Sequence, residues 1–380
     1  MKPKFYFILF FSLIILLAGC KTASKLYQKG DYDGAVNLAV KELQKNPGDP
    51  QKTELLKNAY RFAIADHESK IRNLHSGNND LKWEWIYYEY VAVQDIYNAI
   101  RKSPLVYETI LPKDYTDELN TYGEKAGTAR IERGSRYMEK NDKQSAKNAY
   151  REFQAALRFK PGDIEIKDMI SDAYEAAVIR VVILPADQFG FIYGSYNYEM
   201  QQFSDELIRN LQKNKNEFVE FYPDRGLQNI GEEPDHIIKM NFNRMNPGRF
   251  QDRNSTREVT KEVVIKETIY RPDSIVKEYG KVKARITTTY RTLHAEGFLK
   301  IEIRDKNGSY LWADNIAGNY NWSTEFSTYT GDERALSEQD KLLVNRVPPV
   351  PPYENEILKS IKNNIYTDLL PRLRNFYSRY

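Results

Sequence analysis

Histidine is the side chain best suited to moving a proton or holding a metal at neutral pH, and this chain has four: His67, His75, His236 and His294. None stands four residues from another, so their spacing offers no zinc site, and each is expected at the surface or at a strand end. His294-Ala295-Glu296 copies the first half of a motif that activates a zinc-bound water. That chemistry needs two cysteine ligands further on, and the one cysteine is Cys20. Ser274-Ile275-Val276-Lys277 sets a hydroxyl three residues from an amine, but no companion motif accompanies it, and the stretch alternates like a ribbon. Neither a Gly-rich phosphate loop nor a Gly-x-Ser-x-Gly turn occurs. No catalytic residue, no metal ligand and no cofactor is therefore expected. Two groups stand as binding candidates. Arg249 and Arg253, with Arg244 and Arg257, surround Asn246-Pro247-Gly248 as a basic loop that could meet anionic lipid or glycan, or simply be solvated. Tyr193, Tyr196 and Tyr198 cluster in a glycine-bearing loop. Among 28 tyrosines they represent either a habit of composition or a contact surface, since tyrosine buries area at low entropic cost.

What carries these residues begins with an apolar stretch. Lys2 and Lys4 precede Phe5 to Ala18, broken only by Ser12, and the run stops at Leu17-Ala18-Gly19-Cys20. It is shorter than the ~20 residues of a spanning helix, so it has the proportions of an export signal, with an uncleaved N-terminal anchor as the alternative. The closing tetrapeptide resembles the lipobox of bacterial lipoproteins. That resemblance implies cleavage before Cys20, acylation of its thiol and a chain tethered to a membrane. Lys21 stands where an inner-membrane retention signal would place Asp, which implies the outer membrane. No acidic cluster follows Cys20 to direct the chain to the cell surface, so the expected orientation is towards the periplasm. Asp273-Ser274-Ile275 also resembles the O-glycosylation acceptor of Bacteroidota.

At 380 residues, 41% hydrophobic and 29% charged, the chain is ordinary globular material with room for two to three domains. The formal charge is +3, and residues 1–19 hold two lysines and no acid, so the remainder carries +1. Such a balance argues against a nucleic-acid surface. Four segments are expected: a signal at 1–19, a helical domain at 20–178, a strand-rich α/β domain at 179–346, and a proline-rich connector with a C-terminal helix at 347–380. The fold class is α+β: N-terminal helical hairpins, then a mixed, largely antiparallel sheet, then a C-terminal helix packed on it.

In the helical part, Gly30, Tyr32, Ala35, Ala39 and Pro47 form a glycine turn, an aromatic, two alanines four apart and a closing proline. Ala149, Phe153, Ala156 and Pro161 repeat the small, aromatic, small, proline order, with Gly134 and Tyr137 before them. Small residues let helices approach closely and proline ends the second helix. These copies resemble tetratricopeptide repeats. Lys52 to Leu74 and the stripe Trp83, Ile86, Tyr90, Val93, Tyr97, Ile100 have helical periodicity, the stripe as core packing between helices.

From Val178 the period becomes that of strands. Arg180 to Pro185, Phe218 to Tyr222, His236 to Phe242, Glu258 to Tyr270, Ser274 to Asp305 and Tyr310 to Tyr320 are the expected strands. Asp305-Lys306-Asn307-Gly308 is a hairpin turn. Phe203 to Leu211 is expected as a helix capped by Ser204, and Glu354 to Tyr377 as a helix with a kink or break at Pro371. A VVILP-type strand, a helix, an FVEFY-type strand, a Pro-Asp-His-Ile-Ile strand and the later hairpin are similar to a group of envelope lipoprotein domains. The group includes the curli-secretion-channel lipoprotein, the lipoprotein activators of peptidoglycan synthases and the N-terminal domain of TolB. The chain departs from them in having too short a segment at Pro223 to Glu233 for their second helix.

These features together point to a lipid-anchored scaffold or adapter that binds envelope proteins without catalysis. An adapter goes with a groove lined by helical aromatics and a monomer in solution. The alternative is an oligomeric secretion or cell-wall-synthase accessory acting through 179–322. A third reading, a glycan hydrolase, requires two carboxylates ~5–10 Å apart in a deep cleft.

Overall fold

The computed structural model describes residues 22–188, 195–213, 216–226, 233–270, 274–347 and 349–380. Cys20 and Tyr193 lie outside these residues. The chain separates into two compact units at Ala177/Val178. Helices come first, followed by a mixed sheet and a C-terminal helix.

The first unit runs α1 (Ala23–Gln28), α2 (Tyr32–Lys45), α3 (Pro50–Ser76), α4 (Lys82–Arg101), α5 (Pro104–Ile110), α6 (Thr116–Met138), α7 (Lys143–Phe159) and α8 (Ile164–Ala177). Short polar residues start several of these helices. The carboxylates of Asp31 and Asp142 accept from Gly34 N–H at 3.0 Å and Ser145 N–H at 2.8 Å, which satisfies donors that the first turn leaves open. One joint occurs twice. After α2, Pro47 and Gly48 (φ +91°) lead to Asp49, which caps α3; after α7, Pro161 and Gly162 (φ +91°) lead to Asp163, which accepts from Ile166. Left-handed backbone at the same place in both joints is the reason each needs glycine. Ala35 and Ala39 are fully buried with Leu56, Ala59 and Ala63 of α3, while Ala149, Phe153 and Ala156 pack with Ile166 and Ala173 of α8. Gly134 belongs to the second cluster, because a Cβ there would lie 2.4 Å from the Phe153 ring.

The second unit holds β1 (Ile179–Ile183), β2 (Asp187–Gln188), α9 (Ser195–Lys213), β3 (Val219–Pro223), β4 (His236–Asn246), β5 (Phe250–Tyr270), β6 (Ser274–Asp305), β7 (Tyr310–Gly331), α10 (Glu338–Val344) and α11 (Glu354–Tyr377). β1 lies between β3 and β4, parallel to both; β4 runs antiparallel to β6. β4 and β5 follow one another along the same side of β6, β4 against 296–305 and β5 against 274–293. β7 covers the other side of β6 from Arg304 to Ala284 and stops there.

Side chains alternate across a strand, so β6 serves two cores on opposite faces. Its odd positions Leu293, Leu299, Ile301 and Ile303 enter the main core with Leu207 and Leu211 of α9 and Ile361, Ile365, Leu369 and Leu373 of α11. Its even positions Ala284 and Ile286 enter a small second cluster with Ala335 and Leu336. Beyond Ala284, residues 260–270 and 274–283 continue as a two-stranded ribbon.

Three expectations about elements are corrected. α9 begins at Ser195, not Phe203, so Ser204 is no cap: it is buried, and its Oγ accepts from Ala186 N–H at 3.2 Å. Tyr196 and Tyr198 fall in the first turn of that helix instead of a loop. Of the kink or break expected at Pro371, the break does not occur: α11 continues through it. Leu369 and Leu373 anchor the helix on either side of it, and the proline faces solvent, where water can satisfy the carbonyl that it leaves without an N–H partner.

Candidate functional site

The helical unit holds its helices with charge as well as with alanine. His67 lies on α3 in the buried line Ala59, Ala63, His67, Ile71. Its Nδ1 is 2.6 Å from Glu89 Oε2 of α4 and its Nε2 is 3.0 Å from Asp33 Oδ2 of α2. The Asp33 hydrogen bond, aided by Glu89, raises the imidazole above its ordinary value against the opposing pull of burial. A second link joins α4, α6 and α7: Arg130 bonds Glu84 at 2.6 Å and Glu152 at 2.7 Å, and Arg133 reaches Glu152 at 3.2 Å. The expectation that every histidine is a surface or strand-end residue therefore fails at His67. This residue fits the four-residue spacing of its neighbours, a signal that is present in the sequence. His75, exposed, meets Tyr122 Oη at 2.9 Å.

Trp83 and Tyr90 of α4 pack in seams between helices, while Trp85 and Tyr88 of the same helix are 43% and 52% exposed. Tyr90 stacks on Tyr122 at 5.0 Å and meets Tyr115 at 5.9 Å, while Trp83 carries Lys82 and Lys125 at 4.9 Å each. An open apolar cleft lies elsewhere. A cleft of about 330 Å³ has Leu43, Leu56 and Val106 as its floor and Leu105, Ile110 and Pro47 on its walls. Leu105 is 62% exposed and Val106 only 6%, so α5 presents one face to the cleft and keeps another in the core. Pro47 is thus both the end of α2 and part of a wall. Such a cleft can take an aliphatic side chain of a partner, with Glu108 and Thr109 supplying polar atoms at the rim. A larger cleft, about 530 Å³, is walled by Asp80, Arg133, Arg136 and Lys140. There Arg136 already bonds Asp80 at 2.8 Å, which leaves a charged surface with some of its own charges matched.

In the strand unit the expected basic loop is mostly strand. Only Arg249 lies in the Pro247–Arg249 link; Arg244 is on β4 and pairs with Glu296 at 3.1 Å, and Arg253 and Arg257 are on β5. Arg253 stands across from Tyr290 in the ladder, and Arg257 is paired with the buried Asp340. The structure therefore does not bring Arg249 and Arg253 into one loop. The link exists because β4 and β5 break register opposite His294, and Gly248 (φ +75°) presses against that residue, where a Cβ would come within 2.1 Å of the His294 carbonyl oxygen. Arg249, Gln251, His294, Asn321 and Trp322 line a cleft of about 670 Å³ at this break, with His294 Nδ1 2.7 Å from Asn321 Oδ1. Its described walls carry amides, hydroxyls, an imidazole and an indole, with no carboxylate pair among them. Among the described residues no group of three or more His, Cys, Asp or Glu side chains is placed to hold a metal ion.

No family model matches the chain, and no curated protein matches it. Among solved structures it is similar to a neuraminyllactose-binding hemagglutinin homolog from Helicobacter pylori, at 12% identity and a TM-score of 0.25. The match covers 53% of this chain and 88% of the other. A likeness of that strength assigns no activity to this chain.

Proposed function

We propose that the chain is a lipid-anchored envelope adapter, tethered through Cys20 to the outer membrane and facing the periplasm. Its tetratricopeptide-like helical unit docks other proteins and does no chemistry of its own. One observation carries the reading: an apolar run too short to span a bilayer stops at Leu17-Ala18-Gly19 and the chain's one cysteine. Two or three acyl chains would make the attachment close to permanent, since each buried methylene contributes ~0.8 kcal/mol. The apolar cleft beside Leu105 supports docking by the helical unit, because it offers a partially open aliphatic floor where a partner's side chain can be desolvated.

Two substitutions test the two halves of this reading. Cys20→Ala is expected to release the protein into the soluble fraction, and continued membrane association overturns the anchor. A photo-crosslinking residue at Leu105 is expected to give discrete protein adducts in intact cells, and adducts with lipid alone overturn the docking role. A second reading, an oligomer-forming secretion or cell-wall-synthase accessory, is favoured by one feature: the ribbon of residues 260–270 and 274–283, which runs on past the end of β7.

A further inference from the structure

The cleft where β4 gives way to β5 is built on one face of the sheet. Residues opposite one another in an antiparallel ladder share a face. The pairings Gln251–Thr292–Ser323, His294–Asn321 and Asn246–Glu296–Asn319 therefore set three rungs side by side. In β6 these rungs fall on Thr292, His294 and Glu296, alternate residues of one strand, so the patch is continuous. Leu293 lies between them and enters the main core on the other face, against which Trp322 packs as well. The side chains that stand up from the open face at the cleft are amides, hydroxyls and an imidazole, and those of Gln251, Thr292, His294, Asn321 and Ser323 are exposed.

The hydrogen-bonding groups of this patch are largely unused. Asn321 Oδ1 can only accept, so the hydrogen between it and His294 Nδ1, 2.7 Å away, belongs to the ring. Nε2 of the neutral imidazole is then an acceptor, and the Asn321 amide nitrogen keeps two donors. Neither has a partner among the described residues, and the same holds for the side-chain amide of Gln251 and the hydroxyl of Ser323. Asn246 uses only its oxygen, which accepts from Gly248 N–H at 3.0 Å. Glu296 is the one carboxylate in the three rungs, and Arg244 holds it at 3.1 Å. Among the described walls Arg249 carries the one guanidinium, and no lysine stands there.

Donors and acceptors interleaved on a flat surface suit a ligand whose own groups both donate and accept. A hydroxyl does so, and one planar amide can meet two neighbouring hydroxyls, through its oxygen and its nitrogen. An acyl chain would desolvate these groups without pairing them. A polyanion such as a nucleic acid needs more than one free cation. A protein partner gains most from aromatic and aliphatic anchors, which here point to the other face. The cleft, about 670 Å³, has the size of a ligand site. We infer that the open face at the β4–β5 break is a glycan-binding site, which takes a short run of neutral sugar rings on Gln251, His294, Asn321 and Ser323. It lies in the strand unit and uses neither Cys20 nor the cleft beside Leu105, so it adds to the adapter reading without resting on it.

Titration calorimetry of the full chain, solubilised in a detergent without a sugar headgroup, tests the site. The probes are neutral tetrasaccharides of glucose, galactose, mannose and N-acetylglucosamine. At least one is expected to bind with a dissociation constant of about 1 mM or tighter. Gln251→Ala and Asn321→Ala in one chain should weaken that binding at least about tenfold, since each hydrogen bond lost between neutral groups is worth about two- to tenfold. Both side chains are exposed, so urea unfolding of this double variant should match wild type and show that the sheet is intact. Asn315→Ala, on the same face but outside the cleft, should bind like wild type. Because the contacts are uncharged, affinity should change less than about twofold between about 50 and 500 mM salt. The proposal is overturned if none of the four sugars binds at about 10 mM, or if the double variant binds like wild type. An affinity that falls steeply with salt overturns it too, since the attraction would then be that of Arg249 for an anion. None of these outcomes touches the crosslinking test at Leu105, so failure of the glycan site and failure of the adapter reading remain distinct.

Discussion

The two units hold themselves together by different means. The helical unit packs small residues in its seams and adds partly or fully buried charge links, His67 between Asp33 and Glu89 and Arg130 between Glu84 and Glu152. In the strand unit one wide aliphatic core lies beneath α11, and many charges stand at the surface, such as Asp252–Arg291 and Glu267–Lys277. Alanine seams bury little area per residue, so specific polar links have more to contribute in the first unit. Leucine and isoleucine bury enough that the second depends on them less, although it too has such a link, Arg257 with the buried Asp340. The contrast predicts where substitutions will hurt.

The largest effect is expected under α11. Leu369 is fully buried and sits midway along the helix, so Leu369→Ala should cost about 2–5 kcal/mol through lost transfer energy and a cavity. Urea unfolding followed by the near-ultraviolet signal of the strand unit measures it. A cost under about 1 kcal/mol would mean that the aliphatic core is not what holds this unit.

Next comes Arg130. Arg130→Met leaves Glu84, 17% exposed, without its cation and Glu152, 11% exposed, with Arg133 alone, and should cost about 1–3 kcal/mol. Adding Glu84→Gln should return most of that loss, because the uncompensated charge at Glu84 rather than the missing link is the main penalty. If the double variant is as unstable as the single, the link itself is what the seam needs.

How much of this is legible in the sequence differs between the units for physical reasons. Pro-Gly-Asp at both helical joints and Asp305-Lys306-Asn307-Gly308 are local signals: Gly308 takes φ +84°, and Asp305 accepts from Asn307 and Ser309 N–H, as such a turn requires. His67 escapes a local reading because its partners come from other helices, although its four-residue spacing from Ala63 and Ile71 marks the buried face. The start of α9 is hard to place because its tyrosines and asparagine are weak helix formers, which local propensity alone does not put in a helix. At Pro371 packing on either side overrides a strong local breaker. The arginines around Pro247 look like a loop because they are polar, whereas the ladder with β6 makes most of that stretch strand. Strand order, with β4 and β5 sharing one side of β6, depends on pairing between distant segments and leaves no mark in any window of sequence.

Smaller, and dependent on pH, is the contribution of His67. Its folded-state value is raised, so the protonated ring is what the fold favours. The stabilisation is then complete below the ordinary value of 6.5 and is lost as pH rises through the raised one, with a slope of at most about 1.4 kcal/mol per pH unit. The thermal midpoint of wild type relative to His67→Gln should therefore fall on going from acid to alkaline conditions. A difference that is flat across that range, or that grows with pH, would show that the ring is held neutral between its carboxylates.

The smallest effect is expected on the ribbon, and it separates a buried charge link from an exposed one. Lys277 and Glu267 are 3.2 Å apart with side chains 47% and 51% exposed, so solvent and salt screen them. Lys277→Ala should change the unfolding free energy of the strand unit by less than about 0.5 kcal/mol, in the range usual for surface ion pairs. Urea unfolding of the variant beside wild type reads the difference. If Lys277→Ala instead destabilised the unit as much as Arg130→Met does the helices, the ribbon's charges would be shielded from water, and the contrast between the two units would disappear at the point where it is drawn most sharply.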